Sequence, residues 1–405
     1  MAKVAIIGGG ASGLTASIYA SKNHNVTIFE RNNVCGKKIT ITGNGKCNYW
    51  NEDQDFEHYH SETPSILSSF LKSSIMNETQ DFFRELGIVP KIKNGYYYPN
   101  SMQATSIRNT LEKKAMENGV HIIKDMLIEK IVKKENKFIL NPEKEHLQFD
   151  KIILACGSIA APKTGSDGIG YQLAASFGHT IIKPNPTLVQ LVCDAPFLKS
   201  WSGVRAEVSI SLIINNTEMR REKGEIQLTD YGVSGICIFN LSRDVKKSLE
   251  ENKRIFVKID FFPLFQKYSL DDLLKWFDER SEVLKGYSLD EMLEGILPYK
   301  LALVLIKEAK LTREMKWTRL SLEEKRNFIK TLRNFSLEII DTKSFDHAQA
   351  CTGGVSLKEI DMENMQSKLV ENLYLIGELV DVDGDCGGYN LGFAWMSGIK
   401  CGKNI

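Results

Sequence analysis

The chain has 405 residues, a formal net charge of +1, and hydrophobic and charged contents of 42% and 25%. This length allows more than one hydrophobic core, and the composition is ordinary for a soluble globular protein. The near-zero charge argues against a broad nucleic-acid-binding surface, and no Lys/Arg block is long enough to form a local one.

Targeting and cysteine patterns predict a cytoplasmic protein with reduced thiols and no membrane partner. No apolar run reaches the ~18 residues of a membrane-spanning helix. The N-terminal stretch MAKVAIIGGG is too short and wrongly flanked for a signal peptide. The eight cysteines are scattered, without a CxxC motif or paired Cys/His spacing. We therefore expect no zinc site, no dithiol redox pair and no disulfide framework.

The N-terminal half alternates between strand and helix patterns. We predict a strand at 4–7, a helix at 11–21 and a second strand at 26–29. Helices follow in ETQDFFRELGI and MQATSIRNTLEKKAMENG, and a further buried strand lies in FDKIILACGS. This order predicts an α/β domain.

The pattern changes near residue 190. The segments VRAEVSISLII and RIFVKIDFF alternate like antiparallel strands with one covered face, and residues 268–334 are mostly helical. Strand-like, glycine-rich sequence returns near 346, and a helix ends the chain. The simplest organisation is one α/β domain made from both chain ends, with a β-plus-helical insertion.

The turn after the first strand has the spacing of a dinucleotide-binding motif. Gly8, Gly10 and Gly13 form GxGxxG between a strand and a helix. The first glycine permits the tight turn, the second lets the backbone approach a pyrophosphate, and the third allows close helix–strand packing. Glu30 ends the second strand, where an acid accepts hydrogen bonds from an adenosine ribose. We predict a dinucleotide with its phosphates at the helix N-terminus.

The C-terminal segment decides between NAD and FAD. An apolar strand, the pair Gly377 and Glu378, a glycine-rich loop and a helix starting near Asn390 follow in NLYLIGELVDVDGDCGGYNLGFAWMSG. An acid at this place can bind the ribityl hydroxyls of a flavin. A helix N-terminus at the pyrimidine edge stabilises the negative charge that develops during reduction. A nicotinamide-only dehydrogenase needs no such second half, so we predict FAD.

The stretch GNGKCN at 43–48 is too rich in glycine for a helix or strand interior. We interpret Gly43 and Gly45 as backbone that allows close approach to a cofactor, with Asn44 and Asn48 as hydrogen-bonding groups. Cys47 has no thiol partner or base nearby in the sequence, so we favour a structural or cofactor-adjacent thiol over a nucleophile.

Several stretches together resemble a known family. They are GGGASGL, CGKKITITGNGKCN, YYYPNSMQA, ILACGSIAAPKTGSDGIGYQLAASFGH, PNPTLVQL, TDYGVSG, CTGGVSLKEIDMENMQSK and LYLIGELVDVDGDCGGYNLGFAW. They run in order from about residue 8 to 395, and only about 240–340 matches poorly. The chain is similar to bacterial FAD-dependent oxidoreductases of the aminoacetone oxidase and bile-acid enone reductase type, within the glutathione-reductase-like flavoproteins.

The resemblance implies a fold and a domain division. The fold is α/β, with a Rossmann-like FAD-binding domain formed from both chain ends, at 1–190 and 342–405. An inserted substrate or cap region takes 191–341. Its parts are a β-barrel at about 191–262 and 335–341 and a helical subdomain at about 266–334.

The resemblance also implies cofactor-binding residues. The pyrophosphate lies at Gly8, Gly10, Ala11, Ser12 and Gly13, and the adenosine at Glu30, Arg31 and Ile128. The residues implied along the ribityl chain and flavin are Lys38, Gly43, Asn44, Gly45, Cys47, Asn48, Gly377 and Glu378. The resemblance implies that Ala155, Cys156 and Gly157 close over the cofactor, and that Gly388, Tyr389, Asn390 and Leu391 lie at the flavin pyrimidine. Two positions depart from the family pattern: Lys46 replaces an arginine, and Gly392 stands where glutamine is commoner.

The implied function is electron transfer between bound FAD and a small or hydrophobic organic substrate. No second GxGxxG is visible, so either NAD(P)H visits as a transient co-substrate or the substrate reduces the flavin directly. Two alternatives stay open: a flavin-binding redox sensor or scaffold without turnover, and a flavin-dependent RNA-modifying enzyme. We expect a small-molecule substrate and no nucleic-acid partner.

No catalytic acid or base is assigned from the sequence. His179 is expected to pack or cap a helix, whereas His347 precedes a glycine-rich stretch. In TDYGVSG, Asp230, Tyr231 and Ser234 are candidate substrate contacts, with helix capping by Asp230 or Ser234 as the alternative. The tyrosines of YYYPN form either an aromatic wall or core packing.

Overall fold

The computed structural model describes residues 1–73, 75–143 and 147–405; His146 lies outside this range. Helices are α1 Ala11–Ala20, α2 Pro64–Leu71, α3 Ile75–Glu85, α4 Ala104–Glu117, α5 Ile169–Ser176, α6 Leu198–Trp201, α7 Ile236–Leu241, α8 Val245–Glu250, α9 Leu270–Val283, α10 Leu289–Leu293, α11 Tyr299–Glu308, α12 Leu322–Arg333 and α13 Tyr389–Asn404.

The strands are mostly short. They are β1 Lys3–Ile7, β2 Asn25–Phe29, β3 Trp50–Asn51, β4 Tyr59–His60, β5 Pro90–Lys93, β6 Tyr96–Pro99, β7 His121–Ile123, β8 Ile131–Lys134, β9 Lys137–Leu140, β10 Leu147–Phe149, β11 Lys151–Leu154, β12 Ile181–Thr187, β13 Leu191–Cys193, β14 Arg205–Ile214, β15 Thr217–Leu228, β16 Gly232–Ser234, β17 Ile255–Asp260, β18 Phe335–Thr342, β19 Ala350–Val355, β20 Ile360–Asp361, β21 Gln366–Ser367, β22 Leu373–Leu375 and β23 Asp383–Gly384.

Two compact units divide the chain. The first unit joins Met1–Pro186 with Phe345–Ile405, and the second unit is Thr187–Ser344. Each has its own hydrophobic core.

The first unit is built on a seven-stranded sheet with the order β20-β21-β22-β11-β1-β2-β7. The strands β22, β11, β1, β2 and β7 are parallel. Their sequences are nearly continuous apolar runs because helices cover both faces of such sheets. The C-terminal strand β22 pairs with β11, and α13 packs against α1. At Gly398 a side chain would lie 2.7 Å from the Ser12 carbonyl oxygen, so glycine permits this close approach.

The second unit contains a closed barrel in the order β13-β16-β15-β14-β17-β18, together with the helices α6 to α12. Barrel closure leaves no free sheet edge. The predicted fold class is therefore confirmed: a Rossmann-like α/β part from both chain ends, a β-barrel and a helical part.

One local prediction in the second unit is wrong. Neither Asp230 nor Ser234 caps a helix, because α7 begins after Gly235 and Ser234 lies in β16. Gly235 has φ +116, and a side chain there would lie 2.5 Å from the Glu225 carbonyl oxygen. Only glycine fits this turn, which left no room for a serine or aspartate cap.

Candidate functional site

The loops that carry the candidate residues meet at one edge of the parallel sheet. Gly8 follows β1, Glu30 follows β2, Ala155 follows β11 and Gly377 follows β22 within two residues of each strand end. Parallel strands present their carboxyl ends at the same edge, and open α/β sheets bind ligands there. The fold thus brings together segments that are more than 340 residues apart in the chain.

Helix α1 begins at this edge. Its N-cap is Gly10, and no side chain among the described residues caps it, so the N–H groups of its first turn face outward without a helical acceptor. At Gly13 a side chain would lie 2.0 Å from the Gly8 carbonyl oxygen, whereas at Gly10 it would meet nothing within 4 Å. The space in front of Gly10 therefore suits a pyrophosphate, which the free N–H groups attract. Ala11 and Ser12 form the first turn of α1.

Glu30 organises the turn before α1. This buried carboxylate accepts hydrogen bonds from the Gly9 N–H at 2.9 Å and from the backbone and side-chain N–H groups of Asn32 at 2.8 and 2.7 Å. Its neighbour Arg31 pairs with Asp167. The Met126 N–H donates to the Glu30 carbonyl oxygen at 3.0 Å.

That hydrogen bond places the segment that leads to Ile128 beside Glu30. Ile128 itself is buried. Sequence reasoning assigned Ile128 a backbone contact with adenine, and the location of the segment beside Glu30 is compatible with it.

A partly buried ion pair joins segments from the two ends of the chain. Lys38 Nζ lies 2.6 Å from Glu378 Oε2, and Ser158 Oγ lies 3.5 Å from the same oxygen. The Gly377 N–H donates to Ser397 Oγ at 3.1 Å. Both groups of the pair are largely removed from solvent, so each holds the other in place.

The loop after β11 lies under α1. The Ala155 N–H donates to the Ile7 carbonyl oxygen at 2.9 Å, and the Cys156 thiol donates to the same oxygen at 3.4 Å. Burial raises the pKa of Cys156 to about 12. Gly157 has φ +73 and approaches Ser166 closely.

The stretch at 43–48 forms the end of a distorted 3-10 turn, Ile39–Gly45, whose Thr42, Gly43 and Asn44 have non-helical angles. The expectation that it is no helix interior therefore holds only in part, because left-handed residues interrupt a helical turn. Gly43, Asn44 and Gly45 are exposed. The exposed backbone is compatible with the close approach that the sequence predicted.

Cys47 and Asn48 follow this turn and point inward. Cys47 is fully buried, and burial raises the pKa of its thiol to about 12. A neutral thiol is a poor nucleophile, which favours the structural interpretation. Asn48 Oδ1 is buried, and no described residue donates a hydrogen bond to it. A buried acceptor without a donor is costly, and a bound molecule with an N–H or O–H group would satisfy it.

Helix α13 provides the second helix N-terminus of the site. Its N-cap is Gly388, with φ +96, and no side chain among the described residues caps it. The Asn390 side chain instead holds the loop before the helix: its Oδ1 accepts from the Gly384 N–H at 3.0 Å and its Nδ2 donates to the Gly384 carbonyl at 2.7 Å. The N–H groups of Tyr389, Asn390 and Leu391 therefore have no capping acceptor.

A chain of acids and histidines braces the same loop, and sequence reasoning missed it. His58 lies between Asp385 and Asp53, with 3.1 Å from Nδ1 and from Nε2 to the respective carboxylates, and its ring stacks on Tyr389 at 4.5 Å. Burial alone would lower the pKa of His58, but the hydrogen bonds with Asp385 and Asp53 raise it above its ordinary value. His60 Nε2 also lies 3.1 Å from Asp385.

No signal in the sequence marks this cluster, because His58 and Asp385 are 327 residues apart. The two histidines named in the sequence analysis lie in different environments. His179 is buried between Glu359 and Ser367, so it packs as predicted, and His347 is exposed.

The three tyrosines of YYYPN divide between the two predicted roles, core packing and an aromatic wall. Tyr97 packs edge-on against the buried Tyr49 at 6.3 Å. The half-buried rings of Tyr96 and Tyr98 lie against two glycine turns. The segment therefore contributes both to the core and to the wall of the site.

The first unit fits a flavin dinucleotide. An uncapped helix N-terminus faces open space at Gly10, a second uncapped N-terminus begins at Gly388, and a buried acceptor without a donor lies at Asn48. No group of three or more His, Cys, Asp and Glu residues in the described parts of the chain is placed to hold a metal ion. None of the described helices has the length and apolar content to cross a bilayer.

Residues 2–404 match the family model of the HI0933-like protein Rossmann domain. The chain belongs to this family of FAD-binding Rossmann proteins, so its cofactor is FAD and it is an oxidoreductase. The resemblance found in the sequence is thereby confirmed.

Individual relatives extend over the whole chain. A 3-dehydro-bile acid delta(4,6)-reductase from Clostridium scindens is 37% identical, covering 100% of this chain and 98% of that protein. Ribosomal RNA dihydrouridine synthases from Haemophilus influenzae and Escherichia coli are 27% and 25% identical, each covering 99% of this chain and 97% of the relative. Family membership in an oxidoreductase group removes the alternative of a sensor without turnover.

Proposed function

We propose that this FAD-dependent oxidoreductase reduces a carbon–carbon double bond conjugated with a ketone on an apolar, steroid-like substrate, with NAD(P)H as the transient reductant. The observation that carries the proposal is the 37% identity, over the whole chain, to a reductase of 3-dehydro-bile acids. An internal NAD(P)H domain is not needed, because the nicotinamide can reach the flavin from solvent and leave before the substrate enters.

The proposal assigns roles to the candidate residues. Gly8 to Gly13 hold the pyrophosphate, and Glu30 and Arg31 face the adenosine, with the backbone of Ile128 at the adenine. Lys38, the 43–48 loop, Ala155 to Gly157 and the pair Gly377–Glu378 lie along the ribityl chain and flavin. Gly388 to Leu391 lie at the pyrimidine edge. The support is that Gly8, Glu30, Ala155 and Gly377 follow the carboxyl ends of neighbouring strands in the first unit, and that Lys38 pairs with Glu378.

Bound FAD would accept a hydride from NAD(P)H and, once reduced, would supply a hydride to the substrate. The chain contributes orientation and electrostatics. The free N–H groups at the start of α13 stabilise negative charge at the ligand edge they face. The Lys38–Glu378 pair fixes the position of the carboxylate beside the strand end. Neutral, buried Cys47 and Cys156 add no competing thiolate to the site.

The proposal gives the second unit the role of substrate cap, within the predicted domain division of 1–190 and 342–405 around 191–341. It also places the protein in the cytoplasm, since the cysteines of the described residues are all free thiols.

Anaerobic mixing tests this function. FAD-loaded protein is mixed with NADH or NADPH while the visible flavin band is followed, and then with a 3-oxo-4-ene steroid. Bleaching by a nicotinamide and recovery with the steroid, with a saturated ketone as product, is the expected result. Bleaching without recovery by any enone would contradict the substrate class, and absence of bleaching would contradict the reductant.

The relatives that modify ribosomal RNA define the competing outcome. The formal charge of +1 gives this chain no excess of cations for RNA, which supports a small-molecule substrate. Conversion of uridine to dihydrouridine in added ribosomal RNA, together with no turnover of the enone, would select RNA modification instead.

A further inference from the structure

The hairpin of β5 and β6 has one face of uniform character. Lys91 pairs with Tyr98 and Lys93 with Tyr96 in the antiparallel register. Residues directly opposite each other in a β-ladder project to the same face, so two lysines and two tyrosines share it. We call these four residues the tyrosine–lysine face.

The tyrosine half of this face touches the candidate cofactor site. The Tyr98 ring lies 3.7 Å from the point where a side chain at Gly43 would begin, and the Tyr96 ring lies 3.0 Å from the corresponding point at Gly387. Gly43 belongs to the 43–48 loop and Gly387 to the turn before α13. The two rings therefore span the two glycine turns that the proposed function places along the flavin.

The lysine half lies farther out. The strand order is β3-β6-β5, so β5 is the outer strand, and its residues lie about 4.8 Å beyond those of β6. Both lysines are exposed. Among the residues that the structure describes, neither ammonium group has an ion-pair or hydrogen-bond partner. The hairpin thus presents apolar rings beside the site and two unpaired positive charges one strand away.

We propose that the tyrosine–lysine face binds the substrate, with Tyr96 and Tyr98 against its apolar body and Lys91 and Lys93 at a carboxylate on its distal end. This inference rests on the proposed function and specifies the substrate class further: an apolar molecule that carries an anion away from the reacting double bond. Charge complementarity supports it, because neither lysine has an acidic partner among the described residues and both therefore remain available to a substrate carboxylate. Flat rings next to them suit a rigid hydrocarbon skeleton.

The test compares a 3-oxo-4-ene steroid bearing a side-chain carboxylate with its methyl ester. Binding of each to the FAD-loaded protein is measured by equilibrium dialysis without a reductant, and KM and kcat are measured with the reductant identified above. The wild-type protein should bind the acid about fivefold more tightly than the ester, as two exposed ion pairs allow. Added salt should reduce this preference because it screens exposed charges.

Variants locate the effect. Lys91→Gln/Lys93→Gln should raise the dissociation constant and KM of the acid to those of the ester, with kcat unchanged. The control is Lys72→Gln/Lys358→Gln, which removes two exposed lysines elsewhere in the first unit and should keep the acid preference. Tyr98→Ala should weaken acid and ester equally, and Tyr98→Phe should restore both.

Equal binding of acid and ester to the wild type, or an acid preference that survives Lys91→Gln/Lys93→Gln, would overturn the inference. The dialysis measurement separates this failure from a failure of the proposed function. An acid preference that depends on the lysines supports the face even where no enone is reduced, whereas turnover of acid and ester with equal KM refutes the face and leaves the reductase function intact.

Discussion

Two helices of the first unit and two helices of the second unit begin in opposite ways. In the first unit α1 and α13 start at Gly10 and Gly388 without a side-chain cap. In the second unit α9 and α12 start at Ser269 and Ser321, and each forms a capping box with an acid three residues later. A capping box satisfies the N–H groups that an open N-terminus leaves free. Among these four helices, α9 and α12 thus have satisfied N-termini, whereas α1 and α13 leave N–H groups available to a ligand.

The largest expected effect is at an open end. Gly10→Val places a side chain into the space in front of α1, where nothing lies within 4 Å, so the fold should persist while FAD binding weakens by about 100-fold or more, about 3 kcal/mol. Flavin retained after gel filtration and the far-ultraviolet circular dichroism measure the two effects. Gly13→Ala is the matched control, because its side chain would lie 2.0 Å from the Gly8 carbonyl oxygen and should destabilise the fold itself. Gly10→Val protein with a full complement of FAD would refute the placement of the pyrophosphate.

The pH dependence of stability should differ between acids of the two units. Burial raises the pKa of Asp381 in the first unit to about 6. Its folded form binds a proton more tightly than the unfolded chain, so its contribution to stability is lost as the pH rises from about 4 to about 6, by about 3 kcal/mol. Urea unfolding from pH 4 to 7 should show this loss in the wild type and not in Asp381→Asn. Parallel curves for the two proteins would show that Asp381 ionises normally.

The capping acids of the second unit should act in the opposite direction. Hydrogen bonds from Ser321 hold the pKa of Glu324 below its ordinary value, and those from Ser269 do the same for Asp272. Their contribution is present above the ordinary pKa and is lost as the pH falls through the folded value. Glu324→Gln should therefore flatten the acid side of the stability curve, in contrast to Asp381→Asn.

A weaker effect is expected at Glu30, which accepts three N–H donors from Gly9 and Asn32. In Glu30→Gln the amide has one acceptor oxygen, so at least one donor loses its partner. FAD affinity should fall about tenfold, as measured by titration of the apoprotein. Asn32→Ala is the control, since it removes a donor and leaves the carboxylate intact. An unchanged FAD affinity in Glu30→Gln would show that FAD binding does not depend on the Glu30 carboxylate.

The smallest effect should come from a capped helix. Ser321→Ala removes the acceptor of the Glu324 N–H at 3.2 Å and should cost about 1 kcal/mol of unfolding free energy. FAD affinity should stay at the wild-type value, because the residue belongs to the second unit and supports only its helix. Weakened FAD binding in this variant would contradict the distinction between α12 and the open ends of α1 and α13.

Sequence patterns predicted the parts of the fold that depend on local order. The apolar runs of β1, β2, β11 and β22 and the glycine spacing around Gly10 are properties of short segments, and such segments specify their structure largely alone. The sequence predicted that both chain ends form one domain because the N-terminal GxGxxG and the C-terminal Gly377–Leu391 segment each carry part of an FAD-binding pattern.

The features that the sequence did not predict depend on contacts between distant residues, and no local pattern encodes those contacts. His58 and Asp385 meet because β4 pairs with β23, two-residue strands too short to give a periodic signal. The caps expected at Asp230 and Ser234 were wrong because the positive φ of Gly235 decides the start of α7. Tyr96, Tyr97 and Tyr98 alternate between wall and core, a division that became visible only with the register of the hairpin.

Because the thiols are buried, the rate at which each one is alkylated reports how often its surrounding segment opens. All eight cysteines are free, and burial raises the pKa of five of them to about 12: Cys35, Cys47, Cys156, Cys193 and Cys237. Such thiols react with alkylating reagents only when the surrounding segment opens. Labelling followed by mass spectrometry would therefore time the opening of each segment separately, with Cys47 and Cys156 reporting on the cofactor loops and Cys193 and Cys237 on the barrel.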